Sequence, residues 1–290
     1  MEYDTLTTRD PCYPRRLLVR MKNEAPTLYF HGPLSLLDRF TMAVITADMT
    51  PGQAMLATND MLFKIREYAL NYLGPWHAVM ETEIFRLALD TPTDPERRRS
   101  VTICTARGLA RENWDNFLGD RFGYEGPFTG FPQKEEFYRR ARAEELLWLS
   151  ITEPQQKRFM RQKILFRNRV ACALADVVFV PFAEKGSKTL ITVKQVLKDG
   201  VPMFTCQYSD DKATDVNKDL FALGVPSYNR KTVGKYLESL GASVDASPPF
   251  VAMAEPVRQV SESMPEYIVG ARQTDFLAEQ KRAVRKRGRE

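Results

Sequence analysis

The chain has 290 residues, 43% of them hydrophobic, enough for one large domain or two small ones. It has no apolar run near the about 18–20 residues that span a bilayer, and its start, MEYDTLTTRD, lacks a basic-then-apolar signal pattern, so a soluble cytoplasmic protein is expected. The net charge of +5 excludes a uniformly basic body, because the last ten residues, KRAVRKRGRE, hold six basic groups and one acidic group and so carry all of it.

Residues 1–40 are rich in turn formers (Asp10-Pro11, Tyr13-Pro14, Ala25-Pro26, His31-Gly32-Pro33) and read as an N-terminal arm packed on the main domain. Within it, residues 16–21 suggest a short helix and 27–30 a short strand. Residues 41–47 (TMAVITA) form the first strong strand candidate. Residues 52–72 then predict a helix, with apolar groups at Met55, Leu62, Ile65, Ala69 and Tyr72 and a stop at Gly74-Pro75. A strand over 77–80 passes into a helix over 83–89, and the polar segment 91–100 reads as a surface loop. Next come a strand over 101–106 (VTICTA), a helix around 109–118, a long glycine-rich connection over 119–132 and a charged amphipathic helix over 134–149.

Residues 155–206 predict a βαβ unit with a helix leading in. The basic helix ends near Leu174. A strand over 176–182, a polar loop over 183–188, a helix over 189–198 and a strand over 201–206 follow. Both strands are continuous apolar runs, which suggests burial on two faces of a parallel sheet. The loop would then lie where a strand's carboxyl end meets a helix's amino end, a place that favours an anion. No acidic residue lies between Glu153 and Asp176, whereas Lys157, Arg158, Arg161, Lys163, Arg167 and Arg169 do. Beyond, residues 230–240 predict a helix stopped by Gly241, and from 246 onward prolines interrupt any long element. The alternation of strands and helices gives an α/β class: a Rossmann-like parallel sheet over 41–245, flanked by helices, with a proline-interrupted extension and basic tail over 246–290.

Three blocks of residues resemble one family. Phe166-Arg167-Asn168-Arg169 with Val170-Ala171 and Leu174 is similar to the F-x-x-R-N-R-I-I-A-x-L signature of the DNA-processing protein A family (DprA, or Smf), in register over the R-N-R core. Lys185-Gly186-Ser187-Lys188-Thr189-Leu190-Ile191-Thr192 looks like its S-G-S-L-I-T-A segment. Tyr13-Pro14 through Leu17, Pro26 through Tyr29 and Gly32-Pro33-Leu34 through Leu37 are similar to its opening segment. The resemblance implies an extended Rossmann fold, a homodimer, and single-stranded DNA binding without catalysis or cofactor. The chain departs from the family after the first strand, with Thr46-Ala47-Asp48-Met49 in place of G-S/T-R. It departs again after the second, with Met80-Glu81-Thr82-Glu83 in place of a glycine-rich turn, and both changes put negative charge where an anion would sit. The third turn keeps a trace in Thr105-Ala106-Arg107-Gly108.

The expected nucleic-acid or phosphate contacts are Arg107, Lys163, Arg167, Asn168, Arg169, Lys185, Gly186, Ser187, Lys188 and Thr189, with tail contacts from Lys281, Arg282, Arg285, Lys286 and Arg287. Each has a plainer alternative: an arginine pairing with a core-edge carboxylate such as Asp176, an ordinary strand-to-helix turn, a solvated tail. Tyr124, Phe128 and Phe131 either stack bases or pin their loop, and Trp76, Trp114 and Trp148 read as core or interface groups. His31 and His77 belong to no catalytic or metal spacing, and Glu81 and Glu83 fit a helix start, which argues against an enzyme. The four cysteines are far apart, which argues against disulfides and zinc. Three functions remain open: a single-stranded DNA binder, an antitoxin or regulatory subunit of a phage-defence pair acting by protein contact, and a small-nucleotide sensor.

Overall fold

The computed structural model describes residues 3–89, 99–110, 134–143, 145–156, 158, 160–208 and 215–244. Its first half holds β1 (Asp4–Leu6), α1 (Arg15–Met21), β2 (Leu28–His31), β3 (Thr41–Val44), α2 (Gly52–Ile65), β4 (Asn71–Gly74), α3 (Val79–Leu89) and β5 (Ser100–Thr105). The second half holds α4 (Lys134–Arg142), β6 (Leu146–Ser150), α5 (Arg161–Leu174), β7 (Val177–Phe179) and α6 (Lys188–Lys198), then β8 (Met203–Cys206), α7 (Lys218–Ala222), β9 (Ser227–Tyr228) and α8 (Val233–Ser239).

The strands form one sheet in the order β1-β2-β6-β5-β4-β3-β7-β8-β9. Every pairing from β6 to β9 is parallel, and β1 and β2 add an antiparallel margin beside β6. The apolar runs explain the parallel part. Successive residues of a strand face opposite sides, so a strand with no polar alternation must be covered twice. Ala43, Val178 and Cys104 pack on one face with Leu17, Val170, Ala171, Leu174, Val193 and Val196, from α1, α5 and α6. Their neighbours Met42, Val44, Val177, Phe179 and Ile103 pack on the other with Met61, Leu62, Ile65, Ile84, Phe137 and Val233, from α2, α3, α4 and α8. Each fully buried aliphatic or aromatic side chain contributes about 1.5–3 kcal/mol, so this two-sided core drives the fold.

The structure corrects three elements of the sequence reading and adds β1, α7 and β9, which that reading does not name. The helix expected over 52–72 stops at Ile65, and Asn71–Gly74 is a strand, paired between β3 and β5. The helix expected over 134–149 stops at Arg142, and Leu146–Ser150 is a strand between β5 and β2. In both places a strand of four or five buried residues follows a helix after a short connection, and its apolar residues continue the helical period by chance. Residues 77–80 form no strand; α3 begins at Val79. The readings of 111–132, including Trp114, Tyr124, Phe128 and Phe131, and everything from 245 onward lie outside the described residues, as does Lys157.

Candidate nucleic-acid interface

β3 is the first parallel strand and sits inside the sheet, with β4 on one side and β7 on the other. The chain leaves β3 toward α2 on one face and leaves β7 toward α6 on the opposite face. The loops after β3 and β7 therefore part at their carboxyl ends, the place where open α/β sheets take their ligands. Here that crevice is stitched across its base: Ala47 N donates to Phe182 O (2.9 Å), and Thr46 Oγ1 to the same carbonyl (3.1 Å). Asn217 locks the far side, donating to Pro181 O (2.9 Å) and Thr205 Oγ1 (2.6 Å).

Above this base stands the turn that joins β7 to α6. Lys185, Gly186 and Lys188 are exposed, and Gly186 has φ +84°, with open space where a Cβ would project. Glycine is thus required by backbone conformation alone. Ser187 is the N-cap of α6: its hydroxyl donates to Glu184 O (2.7 Å) and accepts from Leu190 N (3.1 Å). Thr189 is buried beneath the turn. Lys188 Nζ lies 3.9 Å from Asp48 Oδ2, and with both side chains well exposed this pair is weak.

The Arg167-Asn168-Arg169 motif is divided by the helix that carries it. Residues two apart on a helix face nearly opposite ways. Arg167 is 1% exposed and lies against the sheet, where Nη1 donates to Cys104 O (2.8 Å) and Nε to Asn168 Oδ1 (2.8 Å). Burial lowers its pKa, opposed by Cys104, Glu81 and Cys172. Arg169 faces outward and grips Asp199 with two bonds (2.7 and 2.8 Å) and Glu24 with a third (2.5 Å), and the Asp199 hydrogen bonds push its pKa up. Asp199 caps the far end of α6, about 16 Å along that helix from the Gly186 turn. Arg169 is therefore committed to an ion-pair cluster away from the turn. The carboxylate proposed for an arginine, Asp176, binds Arg16 instead (3.0 Å).

Arg107 and Lys163 belong to the same carboxyl edge, Arg107 just past β5 and Lys163 in the first turn of α5. Gly108 serves packing there: a Cβ would lie 2.1 Å from both Glu153 O and Pro154 O, and its N–H donates to Gln156 O (3.0 Å). This glycine admits the chain's own backbone rather than a ligand. The basic tail residues lie outside the described residues. Among the described residues no cluster of His, Cys, Asp or Glu suits a metal ion, and no helix is long and apolar enough to cross a membrane.

In sequence Glu81 is an unfavourable charge that fits a helix start; its position shows more. It is 3% exposed, and its carboxylate accepts from Thr46 N (3.1 Å), His77 N (2.7 Å) and Ala78 N (3.1 Å). Burial raises its pKa, opposed by those backbone donors and by the charge on Arg167. Glu81 is the third residue of α3 and Ala78 immediately precedes that helix, so Glu81 makes the glutamate half of a capping box, with alanine where the signature has serine or threonine. Beside it, Trp76 adopts φ +58° with no exposure, donates its indole N–H to Thr102 O (3.2 Å) and presses its ring on Gly74.

A doubly wound parallel sheet with its switch point between β3 and β7 and a glycine turn at the head of α6 defines a Rossmann-like α/β protein. More narrowly, the fold is DprA-like. It superposes on DNA processing protein A from Streptococcus pneumoniae with a TM-score of 0.60 and 20% identity, covering 82% of this chain and 74% of that one. It also superposes on DNA processing protein A from Helicobacter pylori, a structure described for its single-stranded DNA binding mode, with a TM-score of 0.58 and 18% identity, covering 82% of this chain and 97% of that one. No family model and no curated protein sequence matches the chain.

Proposed function

We propose that this chain is a non-catalytic binder of single-stranded DNA, which it holds along the carboxyl edge of the sheet. One observation carries the reading: an exposed turn of Lys185, Gly186 and Lys188 heads α6 beside the switch point, where backbone amides, the helix dipole and two ammonium groups attract the same phosphate. Arg107 and Lys163, together with the neighbouring Arg158 and Arg161, extend positive charge along that edge. The likeness to the Helicobacter pylori protein supports DNA as the polymer. The tail residues Lys281, Arg282, Arg285, Lys286 and Arg287 add affinity without sequence preference. Arg167 and Asn168 support the edge from below, and Arg169 takes no part. Fluorescence anisotropy with labelled oligonucleotides tests this. Binding should tighten with length and weaken in a Lys185→Ala/Lys188→Ala variant; length-independent or absent binding would refute it.

A second reading, contact with a partner protein as antitoxin or regulatory subunit, is favoured by Met49 and Leu56, which are 80% and 74% exposed at the head of α2. Co-expression with the product of the adjacent gene tests it, and an unchanged elution volume removes it. The same chromatography, with light scattering, distinguishes monomer from the proposed homodimer. The cytoplasm is the compartment that suits all these roles.

A further inference from the structure

The amides that a Rossmann-like sheet offers to a phosphate are of two kinds here. Those at the Gly186 turn face solvent. Those at the turns after β3 and β4 converge on a point inside the protein, and that point is occupied. Thr46 N comes from the turn after β3, and His77 N and Ala78 N from the turn after β4. Their three hydrogens meet on the two oxygens of Glu81, at distances usual for backbone donors to an anion.

Two further observations point the same way. Arg167 is buried at the same edge and has no ion pair within 4 Å among the described residues, and Glu81 is the carboxylate whose charge acts on it. A buried guanidinium is costly unless negative charge stands nearby. Trp76, in a left-handed conformation that side chains rarely take, is fully buried in the turn after β4, with its ring against Gly74. Three donors from two turns thus meet on one buried carboxylate, whose charge also acts on the buried Arg167.

We propose that Glu81 is a built-in anion: it occupies the phosphate cradle between the β3 and β4 turns, makes this chain refuse mononucleotides and other phosphate monoesters there, and leaves the Gly186 turn as the phosphate-receptive part of the edge. Glu81 is then a specificity-determining residue for that cradle. The inference stands on Glu81 and its donors, so it survives or fails independently of DNA binding at Lys185 and Lys188.

The test uses the full chain and inorganic phosphate, with chloride at matched ionic strength as control. Any saturable ³¹P line broadening in wild type should come from the Gly186 turn and vanish in the Lys185→Ala/Lys188→Ala variant. Glu81→Ala should show saturable broadening beyond that, with sulfate competing, and phosphate should slow amide exchange at Thr46, His77 and Ala78 by about ten-fold or more. A folded Glu81→Ala chain that ignores phosphate overturns the proposal. So does saturable broadening in wild type that persists in the Lys185→Ala/Lys188→Ala variant. Should Glu81→Ala fail to fold, wild type alone decides by hydrogen exchange. Slow exchange at all three amides, unaffected by phosphate, supports the filled cradle, and fast exchange at any of them sinks it.

Discussion

Arg167 and Arg169 stand two residues apart on α5 and do opposite things: one guanidinium is sealed against the carbonyl of Cys104, and the other is held at the surface by Asp199 and Glu24. A motif that reads in sequence as one basic unit is two structural devices on two faces of a helix. A single experiment on the pair would confound them, so they are best separated.

Arg169→Ala removes the partner of Asp199, whose side chain is only 7% exposed. We expect a loss of about 3 kcal/mol, read as a lower urea midpoint, because a shielded carboxylate is left unpaired. Oligonucleotide affinity should stay within about two-fold, since the site is distant from the Gly186 turn.

Removing Lys185 and Lys188 should act in the reverse way. Stability should change by less than about 0.5 kcal/mol, as both side chains are solvated. The slope of log affinity against log salt should fall by about 0.7 for each phosphate of the single strand that no longer has a cation beside it. An unchanged slope would place the DNA elsewhere.

Gly186→Ala isolates the turn's conformation from its chemistry. No atom lies near the new methyl group, so the cost comes from φ +84° alone. It should be about 1–2 kcal/mol, visible as a lower melting temperature. DNA binding should weaken as the turn relaxes.

The acid response has a definite sign. Hydrogen bonds from Arg139, with help from Arg140, hold the Glu136 carboxyl at about 2, below its ordinary 4.5. A depressed carboxyl stabilises the fold above its unfolded pKa and loses that contribution as pH falls through the folded value. Between pH 4.5 and 2, stability should therefore drop by about 1–3 kcal/mol more in wild type than in Glu136→Gln. Urea titrations at several pH values measure the difference.

Thiol chemistry offers a check on the core. Cys12 is exposed, while Cys104, Cys172 and Cys206 are buried and all four are free. Burial pushes Cys104 to about 11 and Cys206 to about 12, and raises Cys172 as well. One thiol per folded chain should react with a disulfide reagent at pH 8, and four after unfolding.

Much of the fold is legible in the sequence because its signal is local. The apolar runs in β5, β7 and β8, bounded by turns, announce strands covered on both faces, and Gly241 with φ +97° ends α8 as the glycine rule requires. β4 and β6 are illegible because their buried residues fit a helical period as well as an extended one, and only pairing with neighbouring strands decides between them. The site is partly legible. The Gly186 turn and the charge along the α5 head are local features that the residues themselves display. That Arg169 binds Asp199 depends on a side chain thirty residues away, and that Glu81 accepts from Thr46 depends on a backbone amide thirty-five residues away. Spacing along a chain does not encode such partners.

The end of α5 is completed from the other end of the chain. Arg20 donates to the carbonyls of Ala173 and Ala175, and Arg16 to that of Leu174 and to the Asp176 carboxylate, across separations of more than 150 residues. During synthesis the first helix emerges long before any of these acceptors exists. Its docking there cannot precede the synthesis of residue 176, and so follows that of β1 to β6. An N-terminal fusion that slowed that late docking would reduce the yield of native chain more than its final stability.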